Sequence, residues 1–135
     1  MRVTIATCMD SRIDVFRIFG LTLGQAHVLR NAGGIVTDDM LRSLVLSQRL
    51  LQTREVILMH HTNCGLHGAD EEALQERLRA ETGMVPPYAF GAFDDLDASV
   101  RAAVRVVREH TFLPHRDNVR GFVYEVETGR VREVV

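Results

Sequence analysis

The sequence has no tryptophan, only two tyrosines and six phenylalanines, and a net charge of −2 over its 135 residues. It therefore lacks both the aromatic stacking surface and the basic excess with which proteins bind nucleic acids, and we expect no nucleic-acid partner. No apolar run reaches the roughly 18 residues that a membrane span requires. The opening residues 1–6 are too short and too polar for a signal peptide. We therefore expect no membrane partner and a cytoplasmic location.

Cysteine is also scarce, because the chain has only two of them. Two cysteines are too few for the disulfide framework of a small secreted domain. Both stand in short polar motifs, Cys8-Met9-Asp10-Ser11-Arg12 and His61-Thr62-Asn63-Cys64-Gly65. A disulfide between the two cysteines stays open as an alternative, although it would leave the neighbouring histidine and aspartate without a function.

Apolar periodicity predicts strands and helices in alternation. The expected strands lie at 3–7, 27–30, 55–60, 119–126 and 130–135, and the expected helices at 38–51, 69–82 and 95–109. Pro86 and Pro87 exclude a helix between the last two helical segments. This alternation is typical of an α/β fold with a mainly parallel central sheet flanked by helices, here followed by a C-terminal strand pair. At this length we expect one domain, residues 1–135.

Each of the two motifs follows a predicted strand, and sites in parallel sheets form at the carboxyl ends of strands. Cys8, His61 and Cys64 are the ligand types of a tetrahedral zinc site that keeps one position free for catalysis. The alternative is that both cysteines are buried small apolar residues and that His61 is an ordinary core histidine. The other histidines are weaker candidates for metal binding.

Asp10 and Arg12 stand beside the first candidate ligand. Asp10 could orient a zinc-bound hydroxide by accepting its hydrogen bond, while Arg12 keeps Asp10 ionised. Asp10 could instead occupy the fourth zinc position in a closed, inactive state. A surface ion pair without function is the remaining alternative. The pattern predicts hydration or hydrolysis of a small electrophile.

Taken together, the motifs resemble the β-class carbonic anhydrases in their short prokaryotic form. The resemblance runs through Cys8 to Arg12, Gly24 to Gly34, His61 to Gly65, Thr82-Gly83 and Val119 to Tyr124. It implies reversible hydration of CO2 to bicarbonate and a proton, with one Zn2+ per chain. It also implies zinc ligation by Cys8, His61 and Cys64, a catalytic pair formed by Asp10 and Arg12, a substrate-binding loop at Gly33 and Gly34, and a homodimer or higher homo-oligomer.

The sequence departs from the family pattern at three places. Gln25 and Asn63 stand where the family commonly has aspartate, so we expect altered hydrogen bonds around the site. The family also has a helical arm before its first strand, whereas here the strand begins near Val3. We therefore expect altered dimer contacts and an altered substrate pocket.

Alternative functions on the same fold stay open. Related proteins hydrolyse carbon disulfide or carbonyl sulfide, which are linear molecules similar in size to CO2. A non-catalytic module stabilised by zinc is an alternative from another class, and a redox role for the two cysteines is a further one. His27, Asp14 and Asp38 are candidate proton shuttles.

Overall fold

The computed structural model describes residues 2–135, which form five strands and four α-helices. The strands are β1 (Val3–Cys8), β2 (Ala26–Asn31), β3 (Glu55–His61), β4 (Val119–Glu125) and β5 (Arg130–Glu133). The helices are α1 (Val15–Phe19), α2 (Asp38–Arg49), α3 (Glu71–Thr82) and α4 (Leu96–Arg108). A short 3-10 turn, Ala32–Gly34, follows β2.

All five strands belong to one sheet in the order β2-β1-β3-β4-β5. The four strands β2, β1, β3 and β4 are parallel, and β5 pairs antiparallel with β4. This arrangement confirms the predicted α/β fold with a mainly parallel sheet and a C-terminal strand pair. Since β1 and β3 are adjacent and parallel, with Thr7 opposite Met59, their carboxyl ends reach the same edge of the sheet.

Helices cover both faces of the sheet, which explains why β1 and β3 are almost wholly buried. Helices α2 and α4 cover one face, where Leu44, Leu58 and Val104 belong to the same apolar cluster. The start of α1 covers the other face through Val15, which clusters with Ile5 and Met59. Helix α4 confirms its predicted apolar stripe, because its buried residues recur at helical spacing.

Side-chain caps fix the helix starts. Thr37 caps α2 by accepting a hydrogen bond from the Met40 N–H at 3.3 Å. Asp95 caps α4 in the same way, through the Ala98 N–H at 2.9 Å. These caps satisfy N–H groups that have no partner inside the helix.

Two features differ from the sequence-based expectations. Helix α1 was not predicted, because its five residues are too few for a periodic pattern; it is defined by its Asp14 cap and by Gly20 at φ 63°. Helix α3 forms as predicted, but none of its residues is buried and Leu74 is exposed. Within residues 2–135, no helix combines the length and the apolar character needed to cross a membrane.

Candidate metal centre

The carboxyl ends of β1 and β3 bring three candidate ligands to one point. Cys8 is the last residue of β1, His61 is the last residue of β3, and Cys64 follows in the next turn. One ligand atom from each of the three lies within 4.8 Å of the other two. All three side chains are buried. The predicted convergence of residues far apart in the sequence therefore follows from the strand order.

The hydrogen bond at one ring nitrogen of His61 prepares the other nitrogen for a metal. The Thr62 carbonyl can only accept, so His61 Nδ1 must donate to it, at 2.7 Å. Nε2 is then an unprotonated acceptor, and it is buried with no hydrogen-bond partner among the described residues. An orphaned imidazole nitrogen facing two cysteine sulfurs fits a metal ligand better than a satisfied core histidine.

Both cysteines are free in the structure, which contradicts the alternative of a disulfide between them. The Gly33 N–H donates a hydrogen bond to Cys8 Sγ at 3.3 Å. Burial raises the pKa of the Cys64 thiol, so a cation is needed to favour its thiolate. Two sulfurs and one imidazole nitrogen are donors that suit zinc, with a fourth position left for another ligand.

Asp10 lies beside this centre and is held by Arg12. Its Oδ1 accepts from the Arg12 backbone N–H at 2.8 Å and from Nε at 2.9 Å, and its Oδ2 accepts from Nη2 at 2.8 Å. Oδ2 also lies 3.8 Å from His61 Nε2. The hydrogen bonds from Arg12 are the main reason that the pKa of Asp10 lies well below its ordinary value. The carboxylate is thus an ionised acceptor at the edge of the ligand group.

Arg30, near the end of β2, is a site residue that the sequence analysis missed. Its guanidinium donates to three carbonyl oxygens of the segment that carries Cys8 and Asp10. The distances are 2.9 Å to Cys8 O, 2.6 Å to Asp10 O and 3.1 Å to Ile13 O. Arg30 therefore fixes the backbone on which the first ligand and the acidic residue stand. An arginine beside a ligand motif is too common in sequences to reveal this role.

The turn at Gly33 and Gly34 packs directly against the first ligand. Gly34 has φ 63°, and a Cβ added there would lie 2.8 Å from Cys8 N. His60 supports the turn from the other side, because its Nε2 donates to the Gly34 carbonyl at 3.2 Å. Burial lowers the pKa of His60, which keeps it neutral in this position.

The remaining candidates from the sequence lie elsewhere. His27 is hydrogen-bonded to Ser47 at 2.7 Å, opposite Thr4 and therefore at the other end of β1 from Cys8. Asp14 caps α1, and Asp38 lies in the first turn of α2. These three are predicted proton shuttles that the structure does not bring into the ligand group. Gln25 accepts from the Thr22 N–H at 2.7 Å and so fixes its own turn.

Comparison with known proteins identifies the family. The sequence model described as carbonic anhydrase matches residues 3–86. A Mycobacterium tuberculosis relative named β-carbonic anhydrase 1 is 43% identical over 132 residues, which cover 98% of this chain and 81% of the relative. The crystal structure of a carbonic anhydrase from Streptococcus mutans superposes with a TM-score of 0.92 at 43% identity, covering 99% of this chain and 81% of that one.

A second group of relatives is named for another activity. A carbon disulfide hydrolase from Acidithiobacillus thiooxidans is 30% identical over 152 residues, covering 97% of this chain and 76% of the relative. The M. tuberculosis relative and the S. mutans structure, each 43% identical to this chain, are both named carbonic anhydrases. These matches, together with a Cys8–His61–Cys64 group that could hold a metal ion, show that the chain belongs to the β-carbonic anhydrase family.

Proposed function

We propose that this chain catalyses the reversible hydration of CO2 to bicarbonate and a proton, at a zinc ion held by Cys8, His61 and Cys64. The observation that carries the proposal is the convergence of these three ligand atoms within 4.8 Å, with His61 Nε2 lacking a hydrogen-bond partner among residues 2–135. When bound there, zinc would act as a Lewis acid and lower the pKa of a coordinated water towards about 7, which supplies a nucleophile at neutral pH.

In this proposal Asp10 orients the nucleophile. A carboxylate has about four acceptor positions, and Arg12 donors occupy two on Oδ1 and one on Oδ2. The remaining acceptor position is therefore on Oδ2, the oxygen that lies 3.8 Å from His61 Nε2. Asp10 can accept one hydrogen bond at the centre but cannot donate one, so it favours a ligand that carries a proton.

Arg12 keeps this acceptor in place. Its bidentate hydrogen bonds to Asp10 fix the orientation of the carboxylate and keep it ionised. A closed state, with Asp10 as the fourth ligand, would use the same free position on Oδ2 that accepts from the nucleophile. We therefore propose the open site, with Asp10 and Arg12 as the catalytic pair, as the active state.

Gly33 and Gly34 are proposed to form the wall of the substrate site. The Gly33 N–H is engaged by Cys8 Sγ, so it stabilises the ligand sulfur and is not free to donate to substrate. Gly34 allows its turn to approach the Cys8 backbone. In this proposal the two glycines contact the substrate through their backbone atoms and do not donate a hydrogen bond to it.

Hydrolysis of carbon disulfide is the second candidate, because relatives with that name share the fold. The alignment with the A. thiooxidans enzyme runs over 152 residues, more than the 135 of this chain, so that relative carries inserted residues. The alignment with the M. tuberculosis relative spans 132 residues. Inserted segments can narrow the access to a site and so change which linear substrate enters. Their absence here favours CO2.

The substrate test compares both reactions on protein of known zinc content. CO2 hydration is followed by stopped-flow detection of the released proton, and carbon disulfide hydrolysis by the release of sulfide. We expect rapid CO2 hydration, with kcat/KM above about 10⁴ M⁻¹s⁻¹, and no sulfide release above the uncatalysed rate. Zinc-loaded protein that releases sulfide but does not hydrate CO2 would contradict the proposal.

We also propose that residues 1–135 act as one catalytic domain in a homodimer or higher homo-oligomer in the cytoplasm. Leu46 and Leu51 are exposed on and just after α2 and line an apolar cavity of about 420 Å³ against β2, an edge strand of the sheet. Burial of such a surface by a second copy would stabilise a dimer. Two free cysteines suit a reducing compartment. A sedimentation mass of 15.2 kDa, that of one chain, would contradict the oligomer.

A further inference from the structure

One exposed side chain, Glu127, connects the turn between β4 and β5 to the segment between the two ligands His61 and Cys64. Its Oε2 accepts from the Thr62 hydroxyl at 2.7 Å, and its Oε1 accepts from the Asn63 side-chain amide. The Thr62 hydroxyl also accepts from the Val126 N–H at 3.0 Å. The segment that leads from His61 to Cys64 is therefore held at two consecutive residues.

Asn63 extends this connection to the catalytic pair. Its carbonyl accepts from Arg12 Nη2 at 3.0 Å, and the same Nη2 donates to Asp10 Oδ2 at 2.8 Å. Asn63 also has φ 54°, a left-handed conformation that asparagine tolerates better than most residues. A rotation of this residue would move the Arg12 contact on one side and the Cys64 backbone on the other.

The contact depends on the amide at position 63. The hydrogen bond from the Thr62 hydroxyl is the main cause of the lowered pKa of Glu127, so Glu127 is a carboxylate at neutral pH. A carboxylate only accepts hydrogen bonds, whereas the Asn63 amide can donate one. An aspartate at position 63 would place two negative groups in contact and remove the donor.

We propose that Glu127 is a positioning residue that acts through Asn63 on both Cys64 and Arg12. The role in zinc retention stands on the geometry alone, while the role in catalysis rests on the proposed CO2 hydration. Glu127 does not touch the ligand group itself, so its effect should depend on the identity of the residue at position 63.

An exchange of donor and acceptor tests this dependence. We expect Asn63→Asp to lower kcat, with little change in KM, and to speed zinc release to a chelator, each by about 10-fold. In Asn63→Asp combined with Glu127→Gln, the glutamine amide can donate to the new carboxylate. We expect kcat and the rate of zinc release of this double variant to return to within about 3-fold of the wild-type values, because most of the loss caused by breaking such a supporting contact is restored.

Glu133 provides a matched control on the same strand pair. It forms an ion pair with Arg120 at 2.7 Å and does not contact the ligand segment in the structure. Glu133→Gln removes the same charge, so combining it with Asn63→Asp should not restore either property. Melting temperatures of all variants separate loss of folding from loss of positioning. If Asn63→Asp does not fold, Glu127→Ala serves instead, and it too should speed zinc release.

Two results would overturn the inference. One is that Asn63→Asp and Glu127→Ala release zinc and turn over at wild-type rates. The other is that Glu133→Gln restores zinc retention and kcat in Asn63→Asp as well as Glu127→Gln does. The restored properties would then depend on the net charge and not on the contact between Glu127 and Asn63. If the wild-type protein binds zinc but does not hydrate CO2, the proposed function is wrong. The rates of zinc release from the variants still test whether Glu127 positions the ligand segment.

Discussion

Replacing Asp10 by asparagine is expected to lower kcat/KM for CO2 hydration by about 100-fold while zinc stays at one per chain. Asparagine has nearly the same shape, but it is uncharged and replaces one carboxylate oxygen by an NH2 group, which donates and cannot accept. The remaining oxygen is needed at the Oδ1 position, which accepts two hydrogen bonds from Arg12, so the NH2 group takes the place of Oδ2. In the structure Asp10 Oδ2 lies 3.8 Å from His61 Nε2 and has one acceptor position that Arg12 leaves free. The change therefore removes the orienting acceptor without removing a ligand. Stopped-flow kinetics and zinc analysis of the same samples measure both effects.

Asp14→Asn is the matched control for this change. Asp14 caps α1 by accepting from the Arg17 N–H at 3.1 Å, and asparagine caps helices about as well as aspartate. The control should therefore keep both activity and zinc. Loss of zinc in Asp10→Asn would instead indicate that Asp10 is a permanent fourth ligand and that the site is structural. Unchanged activity would exclude Asp10 from the catalytic pair.

The second large effect is expected at Gly34, where an alanine should lower the free energy of unfolding by about 3 kcal/mol. Part of this cost is the left-handed conformation, φ 63°, which disfavours any side chain by about 1–2 kcal/mol. The rest is overpacking of typically about 1–3 kcal/mol, because the new Cβ would lie 2.8 Å from the backbone atoms Thr7 C and Cys8 N. Chemical denaturation of the metal-free protein measures the loss.

Gly24→Ala separates the two contributions. Gly24 also has a positive φ, 87°, but a Cβ added there meets nothing within 4 Å. This control should cost only the backbone term of about 1–2 kcal/mol. An equal loss of stability in the two variants would show that the close approach of the glycine turn to Cys8 is not a tight contact.

The sequence predicted the ligand group because strand ends in a parallel sheet meet at one edge. Cys8 and His61 each follow an apolar run, and the adjacent positions of β1 and β3 then bring them together. In the structure His60, the residue before His61, lies outside this ligand group. Its ring bonds to the Gly34 carbonyl while that of His61 faces the sulfurs.

The supporting contacts could not be predicted in this way, because they depend on register and on side-chain direction. Arg30 reaches the Cys8 carbonyl only because β1 and β2 pair with Thr7 opposite Arg30. Glu127 reaches Asn63 only because His61 lies opposite Tyr124 at the ends of β3 and β4. Neither pairing is visible in a single sequence. The exposure of α3 was equally hidden, since its apolar stripe resembles that of a packed helix.

Titration of metal-free protein with zinc, while CO2 hydration is followed by stopped flow, tests whether a zinc ion held by the three ligands is needed for the reaction. We expect activity to rise in proportion to bound zinc and to reach its maximum at one zinc per chain, because Cys8, His61 and Cys64 form one ligand group. The parallel titration of His61→Ala should show neither tight zinc binding nor activity. Full zinc occupancy without CO2 hydration, or activity that is independent of zinc, would contradict the account.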